Sequence, residues 1–132
     1  MAQSTTTNFK TVHDAFSSTA ARTPDAPFLC VEAVTAQTYG IPAGEIRWRE
    51  AAAAVESLRA RYAAAGYAHG HRVGVMLENR PAFLVHWFAL NALGVSVVPI
   101  NAEMRSAELE YLVGSPAKAQ TLAENYVGWP LE

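Results

Sequence analysis

The turn at residues 77–81 is the first place in this sequence to look for cofactor chemistry. It joins the apolar run RVGVM to a helical segment, and such turns bind phosphate groups when they are rich in glycine. Here the turn reads Leu-Glu-Asn-Arg-Pro. The carboxylate of Glu78 would repel a phosphate, and Pro81 lacks one of the N–H groups that would bind it. The residues favour a capped helix start, with Asn79 or Arg80 as the cap and asparagine as the better capper.

Histidine and serine residues offer little for metal binding or nucleophilic catalysis. His69 and His71 alternate within AHGH, but a zinc site needs three or four ligands, and no Cys-x-x-Cys motif or second histidine pair accompanies them. We therefore expect an exposed turn there and no metal site. Ser96 lies in a predicted strand without the GxSxG motif, and Ser17 and Ser18 lie in a predicted helix without an evident partner. We predict no catalytic residue among them.

Two asparagines are the candidates for residues that line a ligand site. Asn101 is the better one, because it follows the second predicted strand and open α/β proteins bind ligands at the carboxyl ends of their strands. Asn79 is the weaker candidate. A turn former is the simpler interpretation of Asn101. His86, within a predicted helix, is expected to be packed with one backbone partner and not to act as a base. Three clustered carboxylates are expected to form a solvated face: Glu103, Glu108 and Glu110.

Composition and charge exclude several classes of protein. The chain has 132 residues, of which 51% are hydrophobic and 17% charged, so one domain with a core is expected. The net charge is -2 and no basic run occurs, which argues against a nucleic-acid partner. The single cysteine, Cys30, cannot form an internal disulfide, and we expect it to be reduced and buried in a cytoplasmic protein. We expect no secretory signal, and residues 83–100 are too interrupted for a transmembrane helix.

The elements that must position these residues alternate between helices and strands. Apolar residues at helical spacing predict helices from the Thr11 cap to the Thr23-Pro24 step and at residues 50–65, 81–93 and 106–114. Apolar runs predict strands at residues 28–34, 45–48, 72–77, 95–100 and 119–122, the first two forming a hairpin with the long loop TAQTYGIPAG. This order predicts a single α/β domain over residues 1–132, with an open, mainly parallel sheet and helices on both faces. Residues 1–8 and 123–132 are predicted to be irregular tails.

An ordered set of short motifs runs through residues 10–120. It comprises Trp48 with Glu50, Gly70 with Arg72 and Val73, Asn79 with Pro81 and Phe83, Gly94, Pro99 with Asn101, and Glu108 with Leu109 and Tyr111. In order and spacing the set resembles the N-terminal region of the adenylate-forming acyl-CoA synthetases, the AMP-dependent synthetase and ligase family. The runs NRPAFLVHWFALNALG and VVPIN look most like ligases of the crotonobetaine/carnitine-CoA type. Departures from the usual residues, at turns and strand ends, are Arg47, His71 and Ala102.

The resemblance implies that this chain is an incomplete, N-terminal part of the large adenylating domain. The family joins a carboxylate to AMP with release of pyrophosphate and then passes the acyl group to coenzyme A, so ATP, Mg²⁺ and coenzyme A are implied for a full-length parent. The family's phosphate loop, with its lysine, lies further along the chain than these 132 residues, and no GxxxxGK[ST] loop occurs either. No catalytic or cofactor-binding residue is therefore carried over, and the chain alone is not expected to be active.

Two other functions remain open from the sequence. One is a stand-alone interaction module of the same family that pairs with a partner chain. The other is an unrelated small ligand-binding domain of flavodoxin type, which the lack of a glycine-rich phosphate turn disfavours. The expected partners are the remainder of the synthetase, or a second copy bound through an exposed sheet edge.

Overall fold

A computed structural model describes residues 8–113, which form five helices and four strands. The α/β class predicted from the sequence is confirmed. The predicted strand at residues 119–122, the tail at 123–132 and most of the tail at 1–8 lie outside the described residues. In chain order the elements are α1 (Val12–Arg22), β1 (Pro27–Val31), α2 (Ala33–Tyr39), β2 (Gly44–Arg47), α3 (Trp48–Ala64), β3 (Arg72–Val75), α4 (Pro81–Ala92), β4 (Ser96–Pro99) and α5 (Ser106–Val113).

The four strands of residues 8–113 pair as two separate two-stranded sheets. β3 and β4 are parallel, from Arg72 opposite Ser96 to Val75 opposite Pro99, and α4 connects them. This pair is the parallel crossover unit that the apolar runs predict. β1 and β2 are antiparallel, so the predicted hairpin is also confirmed. Within the described residues the hairpin is not joined to the parallel pair by strand hydrogen bonds.

The connection between β1 and β2 contains a helix where the sequence predicted a loop. The predicted strand at residues 28–34 ends at Val31, and α2 follows until Gly40, whose φ of 63° ends it in the left-handed conformation. Ala36 is buried on the inner face of α2. A helix of this length is not stable alone, so tertiary contacts such as that between the Tyr39 ring and Arg80 favour it against the turn-forming composition. The prediction of a long loop was wrong for this reason.

The alternation of side chains along β1 also corrects the expectation for the cysteine. Val31 is buried, whereas Cys30, its neighbour, points to the opposite face and is exposed. An apolar run predicted burial, but only one face of this strand is covered by the described residues. Cys30 is therefore a solvent-accessible thiol in this part of the protein.

α3 begins at Trp48, two residues earlier than predicted, because its first turn is capped. The carboxylate of Glu50 accepts a hydrogen bond from the backbone N–H of Arg47 at 2.7 Å. Trp48 therefore belongs to the helix and not to the preceding strand. Further along, Glu56 and Arg59 form the predicted pair one turn apart, with Arg59 Nε donating to Glu56 Oε2 at 2.8 Å.

The core lies between α3, α4 and one face of the parallel pair. Leu90 of α4 is completely buried, and Val73 and Val75 of β3 are buried against the helices. On the other face Gly74 lies opposite Val98, which is 41% exposed. We call this face of the parallel pair, on which Val98 is exposed, the open face.

An aromatic cluster attaches the hairpin to the helices. The rings of Phe16 and Phe88 stack with centroids 4.3 Å apart, and those of Phe28 and Trp48 lie 4.5 Å apart. Phe28 also meets Phe16 edge-on at 5.7 Å. Because each ring comes from a different element, this cluster fixes the position of the hairpin relative to the start of α4.

Candidate functional site

The two candidate asparagines lie where the sequence placed them, beyond the carboxyl ends of the parallel strands. Asn79 is exposed and follows β3, but Arg80 is the N-cap residue of α4, so the preference for Asn79 as the cap was wrong. Asn101 is exposed after β4, and its Oδ1 accepts a hydrogen bond from the N–H of Glu103 at 2.9 Å. That bond makes Asn101 a turn former. Its role and that of Asn79 in lining a ligand site stay predictions.

Arg80 occupies the region where a phosphate would have to bind. Its Nη2 lies 2.9 Å from Glu78 Oε2, and its guanidinium carbon lies 5.1 Å from the centre of the Tyr39 ring. Its Nε is buried without a hydrogen-bond partner in the described part of the chain. The sequence did not reveal this cluster, because Tyr39 belongs to the helix α2 that the loop prediction missed.

The turn at residues 77–81 therefore does not fit a triphosphate. The positive charge of Arg80 is neutralised by Glu78, and Pro81 at the first helical position removes one amide donor. Between residues 8 and 113 there is also no group of three or more His, Cys, Asp or Glu side chains that could hold a metal ion. We derive no step of a reaction through ATP or Mg²⁺ at these residues.

A groove with a volume of about 450 Å³ lies between the β1–β2 hairpin and the start of α4. We call it the hairpin groove, and its lining consists of Val31, residues 41–46, Glu50 and residues 80–82. Most of these side chains are apolar. The volume is in the range of about 300–1,000 Å³ that small-molecule sites occupy, but the lining offers few polar groups to orient a ligand.

A buried polar pair connects α3 to α4 in the core. The hydroxyl of Tyr62 lies 2.7 Å from Nδ1 of His86, and the two residues are 2% and 7% exposed. Burial, helped by the charge of Arg61, lowers the pKa of His86 to about 4. Burial also raises the pKa of Tyr62 above its usual value. At neutral pH the imidazole is therefore uncharged, and it shares a hydrogen bond with the tyrosine hydroxyl through Nδ1.

His86 is packed in the core, as predicted from the sequence. Its contact with the Tyr62 hydroxyl was not predicted, because the two residues are 24 positions apart and meet only when α3 packs on α4. A general base must reach its substrate, and this imidazole is enclosed by the core. The pair is therefore a structural contact.

The remaining sequence candidates are surface groups. Ser17 has a partner that the sequence analysis did not identify, since its Oγ lies 3.3 Å from Nε2 of His13 one turn earlier on α1. His69 and His71 lie in an exposed turn, as expected, where Nδ1 of His71 accepts the N–H of Ala68 at 3.0 Å. The carboxylates expected to form a solvated face are all exposed: Glu103, Glu108 and Glu110.

None of the helices between residues 8 and 113 has both the length and the apolar character that crossing a membrane requires.

Comparison with protein families and curated sequences gives consistent matches. A family model described as AMP-binding enzyme matches residues 16–121. The chain is 37% identical over 90 residues to 4-coumarate–CoA ligase 2 of Oryza sativa subsp. japonica, covering 68% of this chain and 14% of that protein. It is 33% identical over 69 residues to 2-succinylbenzoate–CoA ligase of Escherichia coli (strain K12), covering 52% and 15%. With crotonobetaine/carnitine–CoA ligase of Shigella flexneri the identity is 38% over 48 residues, covering 36% and 9%.

Solved structures share the fold. Klebsiella oxytoca NpsA in complex with 3-hydroxyanthranilyl-AMSN matches with a TM-score of 0.70 at 22% identity, covering 83% of this chain and 20% of that one. The N-terminal subdomain of NpsA, in complex with the same ligand, matches with a TM-score of 0.71 at 21% identity, covering 86% and 26%. The chain thus spans at most 15% of the length of these curated relatives and about a quarter or less of these structures.

Proposed function

Since the chain belongs to the AMP-binding enzyme family, we propose that it is the N-terminal part of an ATP-dependent acyl-CoA ligase. In the proposed reaction the parent joins a carboxylate to the AMP moiety of ATP and releases pyrophosphate. The thiol of coenzyme A then displaces AMP to give the acyl thioester. The observation that carries this proposal is a family match over residues 16–121 in a chain that spans 14% of a relative named as a CoA ligase.

In this proposal the 132 residues contribute a scaffold, and ATP, Mg²⁺ and coenzyme A bind elsewhere in the parent. The turn at residues 77–81 supports this assignment of a scaffold role. Its Arg80 is paired with Glu78 and its backbone is not glycine-rich, so it offers a phosphate neither a free cation nor accessible amides. Asn79 and Asn101 are proposed to line the edge of the ligand cleft with their exposed amides. We place the parent in the cytoplasm, where an exposed thiol such as that of Cys30 stays reduced.

Activity measurements on two polypeptides test the proposal. One is the 132-residue chain, and the other is the product of the whole reading frame that contains it. We expect acid-dependent exchange of pyrophosphate into ATP, and thioester formation, only with the longer polypeptide. The names of the relatives suggest acids for the panel: 4-coumarate, 2-succinylbenzoate and crotonobetaine. Thioester formation by the 132-residue chain, or its micromolar binding of ATP with Mg²⁺ in a calorimetric titration, would contradict the proposal.

A second candidate function is a stand-alone module that pairs with a partner chain. The open face favours it, because Val98 is 41% exposed there and an exposed apolar side chain on a sheet promotes association. The partner is either a complementary part of the synthetase or a second copy bound through the sheet edge. Co-purification with such a part would support this function, whereas a monomer of high thermal stability in dilute solution would count against it.

A further inference from the structure

The hairpin groove is an apolar surface at the junction of two well-packed parts of the protein. Ile41 and Ile46 form half-buried walls on the hairpin side, and Pro81 and Ala82 form the wall at the start of α4. Between these walls residues 42–45 are exposed. The aromatic cluster holds the hairpin against the helices, so the groove is a formed feature of the fold and does not depend on a ligand to shape it.

The charged groups of the groove are already engaged within the chain. The carboxylate of Glu50 accepts the N–H of Arg47 at 2.7 Å, and the guanidinium of Arg80 pairs with Glu78 at 2.9 Å. A small anion would therefore find no free cation in the groove, and the exposed carboxylates of Glu45 and Glu50 would repel it. The rest of the surface is suited to apolar side chains, whose burial is favourable.

One polar atom at the groove lacks a partner. Arg80 Nε is buried, and no acceptor for it lies within residues 8–113. A buried donor without an acceptor destabilises the protein. A backbone carbonyl brought into the groove would supply the missing acceptor after a small reorientation of the Arg80 side chain, which lines the groove.

We propose that the hairpin groove is an internal interface of the parent enzyme. Its occupant is an apolar segment of the polypeptide that follows this chain in the parent, and that segment also brings a hydrogen-bond acceptor to Arg80. The inference rests on the proposed function, because it takes the rest of the ligase as the occupant. The relative lengths of the proteins favour this occupant over a second copy. The chain covers only 20% of the matching NpsA structure, so most of the residues of such a structure would have to pack around it in the parent.

Cysteine accessibility measures whether the groove is covered. All variants are made in a Cys30→Ala background, so that each carries a single thiol. Ala43→Cys places this thiol in the groove, and Ala53→Cys places it on the exposed face of α3. Ala51→Cys places it in the core, where the native residue is 3% exposed. Each variant is made in the 132-residue chain and in the polypeptide of the whole reading frame. Alkylation by iodoacetamide, a neutral reagent, is followed by peptide mass mapping.

We expect Ala43→Cys to react as fast as Ala53→Cys in the 132-residue chain and at least ~10-fold more slowly in the long polypeptide, because thiol reactivity follows exposure. Ala53→Cys should react equally in both. Slow reaction of Ala51→Cys verifies that the short chain is folded. If the thiol of Ala51→Cys reacts fast, the 132-residue chain is unfolded. The test is then the ratio of the alkylation rates of Ala43→Cys and Ala53→Cys within the long polypeptide, where slower reaction of Ala43→Cys supports the inference and equal rates overturn it.

Equal reactivity of Ala43→Cys in the two polypeptides would overturn the inference. If the long polypeptide also makes thioester, the proposed function survives that result. Protection of Ala43→Cys in a long polypeptide that has no ligase activity would keep the interface and refute the proposed function. Protection that grows with the concentration of the 132-residue chain would identify a second copy as the occupant and overturn the choice made here.

Discussion

The buried pair of Tyr62 and His86 predicts how stability depends on pH. The pKa of His86 is 6.5 in an unfolded chain and about 4 in the folded protein, because burial disfavours the charged imidazolium. Between these two pH values the unfolded state binds more protons, so stability rises with pH. The contribution of His86 is fully present above pH 6.5 and is lost as the pH falls toward 4. At about 1.4 kcal/mol per pKa unit, the complete loss is about 3 kcal/mol.

Urea unfolding of the 132-residue chain at several pH values between 7.5 and 4.5 measures this loss. His86→Leu removes the titrating group, so the variant should lose about 2–3 kcal/mol less stability over this range than the wild type. Acidic groups titrate in both proteins and cancel in the comparison. His69→Gln, at an exposed histidine, is the matched control and should keep the pH dependence of the wild type.

The reasoning would be refuted if His86→Leu and the wild type lost the same stability over this pH range. In that case the imidazole would titrate alike in the folded and unfolded states, which is incompatible with an uncharged histidine enclosed at 7% exposure. An NMR titration of the His86 ring protons provides a second readout. A midpoint near 6.5 in the folded protein would refute the assigned protonation state without any unfolding measurement.

Three further predictions are tested by the change in unfolding free energy of five substitutions, two of which are controls. Tyr62→Phe removes the hydroxyl that lies 2.7 Å from Nδ1 of the buried imidazole, and it should cost about 1–3 kcal/mol of stability at pH 7.5. A smaller loss would show that this hydrogen bond does not stabilise the protein. Gly94→Ala should lose more stability than Gly66→Ala. Both glycines have a positive φ, of 74° and 94°, but a Cβ at Gly94 would lie 3.0 Å from a histidine side chain, whereas one at Gly66 would have nothing within 4 Å. Equal losses of stability would show that only backbone strain matters. Leu90→Ala, at a side chain with 0% exposure, should cost about 2–5 kcal/mol, whereas Val34→Ala, at 75% exposure, should change stability by less than about 0.5 kcal/mol; similar losses would contradict the assigned core.

The parallel unit and the hairpin illustrate two degrees of predictability. Around α4 the signals are local: an apolar run, Pro81 at the first helical position and Gly94 after the last turn define the unit without any tertiary information. In the hairpin the same kind of analysis predicted the two strands correctly but failed for the connection between them. The run after Val31 contains turn-forming residues, and a helix as short as α2 needs tertiary contacts, such as that of Tyr39 with Arg80, to be stable.

At the candidate site, too, the sequence predicted the features that depend on local signals and missed those that depend on tertiary contacts. The sequence located Asn79 and Asn101 beyond the strand ends, and it showed that the turn after β3 is unsuited to phosphate. It did not reveal that Arg80 is held between Glu78 and the ring of Tyr39, because Tyr39 is distant in sequence and reaches Arg80 only through α2. The hairpin groove was missed for the same reason, since its two walls come from separate elements.

By itself the sequence determined the α/β class, the helix and strand order around α4, and the resemblance to the N-terminal region of the adenylate-forming ligases. These depend on the spacing of apolar residues and on helix-ending glycines, which act over a few residues. Only the tertiary structure decided that Cys30 is exposed, that α2 is helical and that Tyr62 meets His86. Each of these depends on which surfaces are removed from water when distant elements pack, and burial sets both the conformation of a short segment and the charge of an enclosed side chain.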